Sequence, residues 1–91
     1  MLMMTTYRTR PFMSKDETKE LMEAFATHGT TEGTIAHYQF ADGGGGVVIS
    51  DLESAAVGYR NILNYTEWVE YESVNLVEID EAIPLIADAL S

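Results

Sequence analysis

Ninety-one residues suffice for one domain spanning 1–91 and not for two, because a chain this short cannot be divided into two viable cores. Five Lys and Arg stand against fifteen Asp and Glu, a net charge of -10 that repels phosphate backbones and anionic membranes, so no nucleic-acid or membrane partner is expected. The absence of cysteine excludes a disulfide staple, a thiolate nucleophile and a cysteine metal site. The opening Met1 to Met4 is too short for a signal segment or a membrane span, and polar Thr5 and Thr6 follow it. A soluble cytoplasmic protein is the expectation. Arg8, Arg10 and Lys15 all precede the first acid, Asp16, and a basic strand in so acidic a chain is read as a source of internal ion pairs.

Met3 to Thr9 carries β-branched and aromatic residues and stops before Pro11, which predicts a first strand. Ser14 with Glu17 three positions on forms a capping box, and Thr18, Leu21, Met22 and Phe25 continue from it as one apolar helical stripe. Gly29 supplies the left-handed C-terminal turn. Thr34 to Ala41 predicts a second strand, and Asp42-Gly43 a loop into a third strand at Val47 to Ser50. The Gly43 to Gly46 run is a hairpin connection and not a phosphate loop, because it enters Val47-Val48-Ile49 with no Lys nearby and opens no helix.

Asp51 or Ser54 is positioned to cap a second helix with Ala55, Ala56, Tyr59, Ile62 and Leu63 on one side. Trp68 to Val77 alternates as a fourth strand, Trp68, Glu70, Glu72, Val74 and Leu76 facing one way and Val69, Tyr71, Ser73, Asn75 and Val77 the other. Asp80 is placed as the cap of a final helix, with Pro84 in its first turn. The order is that of a ferredoxin-like βαββαβ plait, an α+β fold, with an added C-terminal helix. Two helices cover one sheet face, yet both strand parities are apolar. Leu2, Met4, Ile35, Val47, Ile49, Val74 and Leu76 are assigned to one face, and Met3, Tyr7, Tyr38, Phe40, Val48, Val69 and Tyr71 to the other. A homodimer closed through the open sheet face is the expected cover.

Three stretches carry a family resemblance: Pro11 to Thr18 (PFMSKDET), His37 to Gly43 (HYQFADG) and Tyr59 to Glu70 (YRNILNYTEWVE). Across nearly its whole length the chain resembles the proteins grouped as domain of unknown function family 3303. The resemblance implies a dimeric α+β barrel, a fold shared with small antibiotic-biosynthesis monooxygenases and muconolactone isomerases. It transfers no catalytic motif.

His37 is the candidate catalytic residue, since imidazole is the side chain that most readily gives and takes a proton near neutral pH. Parity places His37 and Tyr38 on opposite faces, so only one of them can share a cavity with Tyr7. Tyr7 and Tyr38 are candidates to orient a ligand, and Arg8 to balance its charge. Tyr65, Trp68 and Tyr71 could wall a pocket for a flat ligand, or else line a dimer seam. Arg8 and Arg10 lie across from Glu70 and Glu72 in the plait, which predicts cross-strand ion pairs. His28 ends the first helix and suits its dipole. Two His with scattered acids match no metal-ligand spacing, and no nucleophile elbow or dinucleotide fingerprint is present, so neither a metal nor a cofactor is expected. Two function classes follow. One is a small-molecule site for an aromatic or anionic ligand, with cofactor-independent oxygenase- or isomerase-like chemistry; the other is a non-catalytic interaction or accessory module in which the same residues only pack.

Overall fold

The computed structural model describes residues 1–91. β1 (Leu2–Thr9) is followed by α1 (Lys15–His28), β2 (Thr34–Gln39), β3 (Gly45–Asp51), α2 (Ala55–Ile62), β4 (Val69–Asn75) and α3 (Ile79–Leu90). The strands form one antiparallel sheet in the order β2-β3-β1-β4. This is the α+β ferredoxin-like arrangement with an extra C-terminal helix.

α1 begins where its capping box predicts. Ser14 Oγ accepts from the Glu17 backbone N–H at 3.1 Å, and Glu17 Oε1 accepts from the Ser14 backbone N–H at 3.3 Å. Its far end is closed by Gly29, at φ 62°, whose N–H donates to the Phe25 carbonyl.

Other boundaries differ from the sequence reading. β2 ends at Gln39 rather than Ala41, because the Phe40 N–H donates to the Gly45 carbonyl and the Gly43 N–H to Phe40, tightening the hairpin. β3 correspondingly starts at Gly45. β4 is shorter at both ends, since the Trp68 N–H belongs to a turn on Tyr65. Ser54 is the N-cap of α2 but makes no side-chain cap bond, and Asp51 instead holds the N-terminal ammonium at 3.0 Å. α3 starts at Ile79 with Glu78 as N-cap, so Asp80 lies inside the helix. Pro84 is consequently its sixth residue and lies beyond the first turn.

Register sorts the sheet into two faces. Tyr7 opposes Gly46 on β3 and Tyr71 on β4, and His37 opposes Val48, so Met3, Thr5, Tyr7, His37, Gln39, Val48, Ser50, Val69, Tyr71 and Ser73 face the helices. Leu2, Met4, Ala36, Val47, Ile49 and Val74 face away. Tyr38 is opposite Val47 and therefore on the open face, 65% exposed, which corrects its assignment beside Tyr7. Phe40 is also corrected: it lies beyond β2, under the Arg8 guanidinium at 4.9 Å from the ring centre. Strand alternation ends at Gln39, where the hairpin turn begins, so it places Phe40 on neither sheet face.

Burial is sparse. Only 6 of 91 residues are buried, Leu52, Tyr65 and Val69 being the hydrophobic ones, and no side chain is completely enclosed. The radius of gyration is 15.9 Å, against about 12 Å for a compact chain of this length. No helix is long and apolar enough to cross a membrane.

Candidate functional site

The helix-facing side of the sheet and the inner sides of α1 and α2 border an open-sided cavity of about 620 Å³. Leu21, Met22 and Phe25 line it from α1, and Gly58, Tyr59 and Ile62 from α2. β1 contributes Met3, Thr5 and Tyr7, and β4 contributes Val69, Tyr71 and Ser73. The chain has twenty Asp, Glu, Lys and Arg residues, yet none of them lines this space. Such a lining offers no Lys or Arg to an anionic ligand and no carboxylate to a cationic one, and burying an unpaired charge is strongly unfavourable.

Two polar side chains of the cavity, His37 and Gln39, converge on one hydroxyl. Tyr7 Oη lies 2.6 Å from His37 Nε2 and also accepts from Gln39 Nε2. The Gln39 amide occupies one lone pair of the oxygen. The phenolic proton is then free to go to His37 Nε2 when the imidazole carries its proton on Nδ1; in the other tautomer Nε2–H donates and the phenolic proton is left for a ligand. The three side chains thus form a relay with two hydrogen-bond states. Phe25 meets the His37 ring edge-on at 5.9 Å, and the Tyr7 and His37 rings are themselves 5.7 Å apart, so aromatic packing holds the imidazole in place.

Tyr7 and His37 come from strands that are not neighbours, because β3 runs between them. The row Tyr7, Gly46, Gln39 explains the reach: both flanking residues oppose Gly46, which has no side chain to occupy the space between. A Cβ on Gly46 would fall 2.5 Å from Tyr7 Oη and 2.8 Å from Tyr7 Cζ. Gly46 is therefore a site residue that the hairpin reading of the glycine run missed. The signal available was that the run continued directly into a strand.

Burial pushes the Tyr7 phenol above its ordinary value of 10.0, a rise that the Gln39 hydrogen bond opposes. Burial also raises Tyr65, and Tyr71 more strongly, with the neighbouring phenols Tyr65 and Tyr7 adding to the effect on Tyr71. The Tyr65 hydroxyl donates to the Gly29 carbonyl at 2.6 Å, tying the α2 exit to the α1 terminus.

Of the residues singled out from sequence, His37, Tyr7, Tyr65 and Tyr71 are brought together around this cavity. Trp68 is not among its walls; its Nε1 is buried with no hydrogen-bond partner, an uncompensated desolvation. Arg8 and Tyr38 belong to the opposite face. Arg8 lies across from Glu70 in register but donates to Asp42 Oδ2 at 3.0 Å, and Arg10 pairs with Glu17, so the expected ion pairs to Glu70 and Glu72 are replaced by pairs to loop and helix acids. The local reason is the hairpin: Asp42 Oδ1 accepts from the Gly44 N–H at 2.8 Å, which fixes its other oxygen within reach of Arg8. Together with Arg8, the Gly44 N–H holds the Asp42 carboxyl below its ordinary range. His28 ends α1, with its ring 6.4 Å from Tyr65. No group of three or more His, Cys, Asp or Glu is placed to hold a metal ion.

Fold and site together define a small ferredoxin-like α+β domain with an uncharged cavity between sheet and helices. The chain belongs to the family described as Domain of unknown function (DUF3303), whose model matches residues 1–90. No curated protein matches it.

Proposed function

We propose that the cavity binds a neutral, largely apolar small molecule, aromatic or similarly flat, and that His37 and Tyr7 exchange a proton with it. The observation that carries this reading is the pairing of Tyr7 Oη and His37 Nε2 at 2.6 Å in a space of about 620 Å³ that no Asp, Glu, Lys or Arg lines. In this role Gln39 orients the phenol, His37 is the proton acceptor, and Tyr65 and Tyr71 form walls. A group that takes a proton from one position of a substrate and returns it at another supports isomerase-like chemistry. An anionic ligand is disfavoured, because Arg8, the cation assigned to it, faces away and is engaged by Asp42. The open space supports this reading over the accessory-module alternative, in which side chains would fill it.

The same reading includes a homodimer closed through the open sheet face, supported by Met4, Val47, Ile49 and Val74 there. A cytoplasmic setting fits the lack of cysteine. Calorimetric titration with 2-naphthol and with 2-naphthoate tests the ligand proposal. Preference for the neutral probe, weakened about tenfold or more in His37→Gln by loss of a buried hydrogen bond, supports it. Equal binding of the carboxylate, or unchanged affinity in His37→Gln, would sink it.

A further inference from the structure

α3 is a helix without a partner. Ile79, Ala82, Ile83, Ile86 and Leu90 fall on one stripe, and the four large residues among them are 55 to 83% exposed. Asp80, Glu81 and Asp88 lie off that stripe. A twelve-residue helix is marginal by itself in water, and its stability ordinarily comes from packing its apolar side.

The second uncovered surface of the same chain is the open sheet face, with Met4, Val47, Ile49 and Val74 at its centre and Tyr38 beside them. The two surfaces do not meet within one copy. The chain measures 57 × 27 × 17 Å along its principal axes, long for its mass, and all of α3 except Ala82 is exposed.

The exposed area indicates how much cover is missing. The chain exposes 6649 Å², whereas a compact monomer of 10.1 kDa exposes about 5,300 Å². The excess of about 1,300 Å² exceeds the roughly 800 Å² that each partner contributes to a standard stable interface. One chain therefore carries both halves of an unmade helix-on-sheet contact, with enough surplus area to form it twice around a two-fold axis.

We propose that α3 is exchanged between two copies of this chain, each laying its Ile79, Ile83, Ile86 and Leu90 stripe on the other's open sheet face. The inference rests on the homodimer reading and names the element that closes it. A foreign helix-binding partner is the competing occupant; self-exchange accounts for both uncovered surfaces at once, where a foreign partner leaves one of them bare.

Because the chain has no cysteine, disulfide trapping is clean in the full-length protein. Chains with Ile86→Cys, mixed with chains carrying Ile49→Cys and then oxidised, should give a disulfide-linked heterodimer. Light scattering of the unaltered chain should give twice 10.1 kDa, and Ile83→Asp with Ile86→Asp should bring it to the single-chain mass. A monomeric unaltered chain overturns both the dimer and the exchange. A dimer that persists in the double Asp variant overturns the exchange while leaving the sheet-face dimer standing. Should the double variant not fold, the trapping experiment decides: no crosslink in the mixture, or a chain bearing both cysteines that closes on itself as a monomer, overturns the proposal.

Discussion

Tyr7 hydrogen-bonds His37 across an intervening strand, Oη to Nε2 at 2.6 Å, its ring passing over Gly46, the β3 residue opposite Tyr7, to reach the next row, where His37 is opposite Val48. A side chain at that position would occupy the space through which the phenol passes. One glycine thus converts two separated strand residues into a coupled pair, and the polar centre of the cavity depends on it.

Gly46→Ala should therefore disturb the sheet and the cavity together. Its Cβ would stand 2.5 Å from both the Tyr38 carbonyl oxygen and Tyr7 Oη, so either β2 or the Tyr7 ring must move. Overpacking of this kind costs about 2 kcal/mol. The expected result is a lower urea midpoint accompanied by weaker 2-naphthol binding; an unchanged midpoint would mean that the strands accommodate a methyl group there.

Tyr7→Phe isolates the hydroxyl. It keeps the ring and leaves Gln39 Nε2 and His37 Nε2 without their shared partner, a loss of about 1 kcal/mol. Chemical denaturation of Tyr7→Phe, His37→Gln and the double variant forms a cycle. The double variant should lose less than the sum of the two single losses, since either substitution already breaks the bond.

Ser14→Ala should cost about 1 kcal/mol by removing the α1 cap. The Glu17 carboxyl is held below its ordinary value of 4.5, first by the Ser14 backbone N–H and further by the Ser14 hydroxyl and Arg10. A carboxyl lowered in the folded state contributes stability that is present above its unfolded pKa and disappears as pH falls through the folded one. The same sign holds for Asp42, lowered by the Gly44 N–H and Arg8. Denaturation midpoints measured downward from about pH 5 should fall, and Glu17→Gln should flatten part of that fall.

The tyrosines set the alkaline limit. Tyr7, Tyr65 and Tyr71 all have phenols raised by burial above 10.0. Above pH 10.0 the unfolded chain loses these protons first, so the stability they contribute is intact below that pH and is lost as pH climbs toward the folded values. Phenolate absorbance from the three should lag and then appear together with the loss of far-ultraviolet circular dichroism. Full phenolate absorbance with the fold intact would show that the rings are open to solvent.

Local chemistry made much of the molecule legible in the amino-acid sequence. The Ser14 and Glu17 box starts α1 because the atoms that satisfy the first turn lie within four residues of each other. The alternation of β4 and the apolar stripe of α3 were equally readable, since they follow from backbone period alone. From these came the element order and the apolar open face. What only the tertiary structure decided were relations that depend on which strand lies beside which and in what register. Placing Tyr7 and Gln39 on one row through Gly46, moving Tyr38 to the open face, and giving Arg8 to Asp42 in preference to Glu70 are all consequences of the β2-β3 hairpin. A shift of one residue in such a turn reverses the face of every side chain beyond it, and no local propensity encodes that choice.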